Sequence, residues 1–364
     1  MGGNGRFASG EARQVVEPAR SIEIPLEDLS ALPGPEQQAI VQEALAQEWQ
    51  TPFCLATGPV VRARLFRLAP DEHVLLRTLH HIVADGWSAG VLNREFAAIY
   101  DAFSNGLPNP LPPLPVQFAD FALWQRTYLG GEVLQQELDW WRNQLADRPE
   151  RLELPTDRAR PAVQTFDAGV LHASLGTTLS DKLTEVSRAH HATPFMVLLT
   201  AFGSLLSRYS GQRDIVIGSP IANRQAAELE DLIGFFVNAL TLRLRMPRDA
   251  RFADLLASVR DTTLDAYQHQ DLPFERLVEE LMPERDPAVT PIFQIMFAMQ
   301  NADMEVQQLQ GLKVVSRIGE RLRVRFDMEL HWTERDGRFE LMWLYNADLF
   351  DPWRVAQMTR HYLG

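Results

Sequence analysis

Two proline-rich stretches limit where regular structure can form in this chain of 364 residues. Residues 107–115 carry five prolines, and residues 147–163 carry three more among charged side chains. Because proline fixes φ and lacks an N–H, neither stretch suits a helix interior or a central strand. The first predicts a stiff, extended connector. The second predicts the boundary between an N-terminal lobe, residues 1–150, and a C-terminal lobe, residues 151–364.

Apolar periodicity on both sides of that boundary predicts interleaved strands and helices. Alternation predicts strands at 21–28, 60–68 and 73–80, and a short central strand at 214–218. Helical spacing predicts helices from Pro35 to about Trp49, after a Ser88 N-cap, at 117–129, at 132–146 and after Thr193-Pro194. This order indicates an α/β (α+β) fold.

Composition excludes several classes of protein. The net charge of −13 argues against nucleic-acid binding, which needs a basic face. Cys54 is the only cysteine, so no intramolecular disulfide and no cysteine-based metal site is predicted. The start of the chain does not resemble a signal peptide, and no apolar run approaches the length of a membrane span. We therefore expect a cytoplasmic protein without a metal.

The segment HHIVADG at 80–86 is the candidate centre of chemistry. Neighbouring strand residues point to opposite faces, so we expect one histidine in an accessible cleft and the other against the scaffold. Asp85 is placed to hold the loop through a buried ion pair. Gly86 suits a backbone with φ > 0 or a close approach by ligand. The alternative is a pair of satisfied histidines near a turn, which is our interpretation of His190-His191.

Several segments, in order along the chain, resemble the core motifs of the condensation domains of nonribosomal peptide synthetases. The first is LHHIVADGWS at 79–88. The others are FADFALW at 118–124, IGFFVN at 233–238, HQDLPFE at 269–275, RD at 285–286 with PIFQ at 291–294, and YNADLFD at 345–351.

This resemblance implies a two-lobed fold similar to chloramphenicol acetyltransferase, V-shaped, with a tunnel between the lobes. The strand–helix unit and the Arg-His-Glu type motif with which the family usually starts are not found, so the first lobe is expected to be incomplete. The later motifs are expected mainly to shape the tunnel and the lobe contacts.

The resemblance also implies the reaction, which is aminolysis of a carrier-bound thioester. An upstream and a downstream peptidyl carrier protein present the substrates on 4'-phosphopantetheine, no cofactor is bound directly, and an adenylation domain is the expected neighbour. His81 accepts a hydrogen bond or a proton from the amine, as a base or as an orienting group. The expected site residues are His80, His81, Asp85 and Gly86, with Arg285 as the structural partner of Asp85 and with Trp87, Ser88, Asn238, Gln270 and Asp271 as tunnel or lobe contacts. The Gly86 N–H is a candidate oxyanion donor.

Without the resemblance, Asn238 and Gln270 are ordinary polar residues at the ends of elements, and Phe235, Phe236 and Trp124 are predicted to be core. Alternatives stay open inside and outside this superfamily. One is a heterocyclisation domain, in which Asp usually stands in place of the first histidine. Another is an epimerisation domain, in which Val-Ser-Trp usually follows the Asp-Gly pair. The third is a free-standing coenzyme A acyltransferase. A non-catalytic module or impaired fragment that binds carrier or partner proteins is the further alternative. Within the condensation domains, residues 217–243 resemble more closely the type of domain that joins two L-amino acids.

Overall fold

The computed structural model describes residues 3–8, 11–18, 21–282, 284, 286–300, 309–315 and 322–364. The chain forms two compact units. The first comprises the described residues of Met1–Phe118, Ala226–Phe236 and 309–315, and the second those of Ala119–Gln225, Val237–Ala302 and Arg321–Gly364. The stretch 147–163, predicted as the lobe boundary, lies within the second unit, and the chain leaves the first unit at Phe118 instead.

The first unit contains a hairpin, a small mixed sheet and two helices. The elements are β1 (Gly3–Ala8), β2 (Glu11–Val16), β3 (Leu26–Asp28), α1 (Gly34–Gln50), β4 (Val61–Ala69), β5 (Glu72–Leu79) and α2 (Gly86–Ser104). β1 and β2 are antiparallel, β3 is parallel to β4, and β4 is antiparallel to β5. The strand predicted at 21–28 forms only from Leu26, because Pro25 has no N–H to donate to a ladder.

A small apolar core holds this sheet to α1. Phe66 and Leu68 are two residues apart and therefore lie on the same face of β4, and Val41 and Ala44 lie on the predicted apolar face of α1. Together with Leu29 they form one buried cluster. The period-2 and period-3.6 patterns therefore meet in the same core, as binary patterning requires.

The second unit is a six-stranded sheet with helices. Its elements are α3 (Phe118–Tyr128), α4 (Gly131–Gln144), β6 (Ala168–Ser174), α5 (Thr177–Ala189), α6 (Pro194–Ser210), β7 (Asp214–Ile221), β8 (Asn238–Arg245), α7 (Phe252–Gln268), α8 (Phe274–Leu281), β9 (Ile295–Gln300), β10 (Met328–Arg335), β11 (Arg338–Asn346) and α9 (Pro352–Leu363). The strand order is β6-β11-β10-β9-β7-β8.

Helix α6 is the buried helix that the sequence predicts. Thr193 is its N-cap, with its hydroxyl accepting the Met196 N–H at 3.3 Å, and Pro194 is its first residue. Phe202 is fully buried, and its ring centroid lies 5.7 Å from that of Phe297 on β9 and 5.9 Å from that of Trp343 on β11. The predicted α/β fold, with strands and helices interleaved, is confirmed.

Within the part of the chain that the structure describes, no single helix has the length and apolarity to cross a membrane. Taken together, the consecutive helices α5 and α6 are long and apolar enough for a span by length and composition alone, and they are bent by 103° relative to each other.

Candidate functional site

The histidine pair begins a turn rather than extending the strand. β5 ends at Leu79, and the His80 N–H donates to the Val60 carbonyl at 2.9 Å, which adds one last bond beside β4. The backbone of His80 is extended, and residues 81–83 form a single 3-10 turn. The chain therefore leaves the sheet between the two histidines, which places the two rings in different surroundings.

His80 is half-buried and held by the scaffold. Its Nδ1 accepts the Ile82 N–H at 3.0 Å, and its ring meets the ring of Phe53 edge-on, with centroids 5.5 Å apart. A ring nitrogen that accepts a hydrogen bond carries no proton, so the His80 proton lies on Nε2. His80 is therefore the cap of the turn that presents His81.

His81 is exposed, and its ring packs against the ring of Phe235. The two centroids lie 5.1 Å apart at an interplanar angle of 84°, which is the edge-to-face geometry that aromatic pairs prefer. A neutral imidazole has one nitrogen that accepts, so an exposed and oriented ring can accept a proton or a hydrogen bond from an amine.

Asp85 is buried and joins two segments of the first unit. One carboxylate oxygen accepts the Ser88 N–H at 2.8 Å, and the other accepts the Phe236 N–H at 2.9 Å. Asp85 is therefore the N-cap of α2, and the prediction that Ser88 caps the helix is wrong by three residues. Aspartate is a favoured cap because its charge also complements the helix dipole. Arg285, the predicted partner of Asp85, lies outside the described residues, so that ion pair stays a prediction.

Trp87 and Ser88 bind the same distant segment through its backbone. The buried Ser88 hydroxyl donates to the Gly234 carbonyl at 2.8 Å and accepts the Gly234 N–H at 3.1 Å. Trp87 donates from Nε1 to the Glu230 carbonyl at 2.8 Å. The first turn of α2 therefore fixes residues 230–236 in place. The predicted tunnel role of these two side chains stays a prediction.

The anchors on either side of Phe235 direct its ring to His81. Phe236 is buried, with its ring 5.0 Å from that of Phe118, whereas Phe235 is 37% exposed. The core prediction is confirmed for Phe236 and wrong for Phe235. It is also wrong for Trp124, which is 53% exposed on α3. The contact between Phe235 and His81 is not visible in the sequence, because it depends on bonds across more than 140 residues.

Two glycines near the site have different roles. Gly86 is the first residue of α2 and is not among the glycines with positive φ, so a left-handed backbone does not explain it, and the alternative, a close approach by ligand, stays a prediction. Its N–H belongs to the first turn, where donors lack an intrahelical acceptor and can bind an anion. Gly234 is required by packing, since a Cβ there would lie 2.3 Å from Cδ2 of Phe118 and 2.8 Å from Cε2 of Phe236.

Of the predicted site residues in the second unit, Asn238 links two segments by hydrogen bonds. The buried Asn238 amide donates to the carbonyls of Gln270 and Leu272 at 2.9 Å each, and its oxygen accepts the Phe274 N–H at 3.0 Å. The Gln270 side chain donates to the Tyr267 carbonyl in the last turn of α7 at 2.8 Å, and the Asp271 carboxylate accepts a hydrogen bond from the Gln225 side chain at 2.6 Å. Asn238 therefore ties the start of β8 to the 269–275 motif. A contact of these residues with substrate stays a prediction.

A family model described as Condensation domain matches residues 6–364. One of the linear gramicidin synthase proteins of Brevibacillus parabrevis is 44% identical over 355 residues, which are 97% of this chain and 5% of that protein. The X-domain from teicoplanin biosynthesis superposes with a TM-score of 0.90 at 27% identity, over 99% of this chain and 81% of that one. The X-domain in its complex with OxyB gives a TM-score of 0.89 at 28% identity, over 99% and 79%.

Proposed function

This chain belongs to the condensation-domain family, and from that premise we propose that it forms an amide bond between two carrier-bound substrates. The donor is an acyl or peptidyl thioester, and the acceptor is the amine of an aminoacyl thioester. The amine nitrogen attacks the thioester carbonyl carbon, the C–S bond breaks, and the donor thiol leaves while the amine gives up a proton.

The observation that carries this proposal is the way in which the His81 side chain is positioned. Its imidazole is exposed at a turn that His80 caps on one side, and Phe235 packs against its ring on the other. Such a ring can accept a proton or a hydrogen bond from the attacking amine without first being ordered. Thioesters are reactive and α-amines have a pKa of about 8, so positioning supplies much of the rate.

The neighbouring residues divide the remaining work. The Gly86 N–H, in the first turn of α2, is the candidate donor to the tetrahedral oxyanion. Asp85 and Ser88 keep that turn and the segment that carries Phe235 in register. Whether His81 acts as a base or as an orienting group is decided by the pH dependence of the chemical step.

The proposed partners are an upstream and a downstream peptidyl carrier protein and an adjacent adenylation domain, with phosphopantetheine belonging to the carriers. The gramicidin synthase relative supports this arrangement, since the chain spans only 5% of that much longer protein. The resemblance of residues 217–243 supports a condensation domain of the type that joins two L-amino acids.

A second candidate function is a module that recruits a partner protein without catalysis. It is favoured by the fold likeness to the X-domain, one structure of which is a complex with OxyB. The retained His80-His81 pair, with its turn intact, favours the enzyme over this module.

One assay separates the two functions. A donor and an acceptor carrier protein are loaded with aminoacyl groups, the chain is added, and the acceptor is examined for dipeptidyl thioester by mass spectrometry. We expect product from the native protein and none from His81→Ala, while His190→Ala, at the exposed end of α5, retains activity. Carrier binding without product would instead support the recruiting module.

A further inference from the structure

A line of side-chain contacts runs from α1 to the ring of His80. Glu48 accepts a hydrogen bond from Nε of Arg62 at 2.8 Å. The guanidinium carbon of Arg62 lies 3.9 Å from the ring centroid of Phe53, and the Phe53 ring meets the His80 ring edge-on at 5.5 Å. The side chains of Glu48 and Arg62 are only 13% and 21% exposed. All four residues belong to the first unit.

Arg62 is immobilised at both ends of its guanidinium. The last turn of α1 has no basic residue of its own, and carbonyls at a helix C-terminus attract donors and positive charge. Arg62 on β4 supplies both, since a terminal nitrogen donates to the Thr51 carbonyl at 2.9 Å while Nε is bound to Glu48. The guanidinium is therefore held over the Phe53 ring, in cation–π contact.

Phe53 and the turn together select one state of the His80 ring. Nδ1 accepts the Ile82 N–H, and the His80 carbonyl accepts the Val83 N–H at 3.1 Å. A flip of the ring would replace Nδ1 by a carbon and leave the Ile82 N–H without its acceptor. The edge contact with Phe53 opposes that flip, because the ring must rotate against a side chain that is itself held by Arg62.

We propose that Glu48, Arg62 and Phe53 are positioning residues that hold His80 in its Nε2–H tautomer and thereby fix the turn that presents His81. The effect on catalysis rests on the proposed amide-forming function, whereas the effect on the His80 tautomer does not. None of the three residues is assigned contact with substrate. They act through His80, and therefore on the rate of the chemical step rather than on binding.

The test joins nitrogen-15 NMR of the histidine-labelled full chain with steady-state kinetics on loaded carriers. The His80 signals are assigned by comparison with His80→Asn. Phe53→Leu removes the ring that contacts His80, and Arg62→Met removes the guanidinium that contacts Phe53. Phe53→Tyr keeps an aromatic ring at this position and is the conservative variant. Phe96→Leu is the matched control, since Phe96 is part-exposed in the same unit, stacks on Tyr100 and lies 5.7 Å from the guanidinium carbon of Arg77.

We expect Phe53→Leu and Arg62→Met to lower kcat by about tenfold or more with KM within about twofold, because small displacements of an oriented group lower the rate steeply. Both variants should show an Nδ1–H population of His80 that is absent from the native protein, from Phe53→Tyr and from Phe96→Leu. Native tautomer in both variants overturns the proposal, and so does a loss of kcat without a tautomer change. Should one variant fail to fold, the other decides.

The two proposals fail separately. If the native chain makes no amide from loaded carriers, the proposed function is wrong, and the NMR comparison alone still decides whether Arg62 and Phe53 hold His80. If amide forms and the tautomer is indifferent to Phe53 and Arg62, the function stands and the positioning role is wrong.

Discussion

The Asp85 carboxylate accepts the Phe236 N–H at 2.9 Å and so joins two positions that are 151 residues apart. The same carboxylate accepts the Ser88 N–H, so one buried side chain both begins α2 and fixes the segment that carries Phe235. Asp85 of the HHIVADG segment therefore has a structural part in the contacts described, and His81 is the exposed histidine to which the proposed function assigns the chemistry.

Removal of this carboxylate should destabilise the first unit. We expect Asp85→Ala to lower the free energy of unfolding by about 2–4 kcal/mol, because it removes a helix cap and leaves a buried N–H without its acceptor. Urea unfolding measures the change. Asp181→Ala, at an exposed position on α5, serves as the control and should stay within about 0.5 kcal/mol of the native protein. Equal stability of the two variants would contradict the role of Asp85.

The Ser88 hydroxyl should contribute more than a serine that bonds within its own helix. Ser88→Ala removes both bonds to Gly234 and should cost about 1–3 kcal/mol. Ser187→Ala is the matched control, since Ser187 is equally buried but donates only to the Leu183 carbonyl, one turn earlier in α5. Calorimetry of the two variants gives the difference, and a larger loss in Ser187→Ala would refute the assignment.

Gly234 should not tolerate even one added carbon. A Cβ there would overlap the Phe118 ring, so Gly234→Ala should cost about 1–3 kcal/mol through overpacking. Gly176→Ala adds the same group where no atom lies within 4 Å, so it should cost only the difference between glycine and alanine as the N-cap of α5, about 0.5 kcal/mol. Thermal melting compares them. Partial recovery in the double variant Gly234→Ala with Phe118→Leu would identify the Phe118 ring as the obstacle.

Two adjacent phenylalanines should respond oppositely to truncation. Phe236→Ala empties a core position and should cost about 3–5 kcal/mol of stability. Phe235→Ala removes an exposed ring from His81, so it should change stability little but lower kcat about tenfold under the proposed function. Melting temperature and single-turnover rate separate the two effects. A Phe235→Ala enzyme with native kcat would show that the ring contact is incidental.

Acid should release a hydrogen-bonded carboxylate in the second unit. The Arg354 guanidinium donates to Asp157 at 2.7 Å and holds the pKa of that carboxyl below its usual value, assisted by the Asp351 N–H. A pKa that is lower in the folded state stabilises the protein above the unfolded pKa of about 3.9, and the gain is lost as the pH falls through the folded pKa.

Asp157→Asn should therefore be less stable than the native protein at pH 7, and the difference should shrink as the pH is lowered below about 4. Chemical unfolding across this pH range measures it. Asp71→Asn, in the exposed turn between β4 and β5, should follow the native protein throughout. A stability difference that is independent of pH would contradict the charge-assisted bond.

Local patterns predicted several of the elements in this fold, chiefly in the N-terminal half of the chain. Thr193-Pro194 marked the start of α6, and the helices predicted at 117–129 and 132–146 correspond to α3 and α4. The error at the start of α2 has a local cause, because Asp85 and Ser88 are both good caps. The choice falls on Asp85 because its second carboxylate oxygen also accepts the Phe236 N–H, which no local rule contains.

The surroundings of the histidines could be predicted only in part. The motif and its resemblance indicated His81 and Asp85, since those residue types recur at that spacing. Phe53 and Phe235 could not be found in this way, because each reaches a histidine through a contact between segments that are distant in the sequence. Exposure of Phe235 likewise depends on anchors at Gly234 and Phe236 that exist only in the folded chain.

The assembly of the first unit from separated segments sets an order of events during biosynthesis. Residues up to Phe118 leave the ribosome well before Ala226–Phe236, so Asp85 and Ser88 emerge before the backbone groups they bind. At translation rates of about 5–20 residues per second, the 151 residues between Asp85 and Phe236 take about 8–30 s. A nascent chain in this interval holds both histidines but not the ring that orients His81, so the site matures only after much of the second unit has been synthesised.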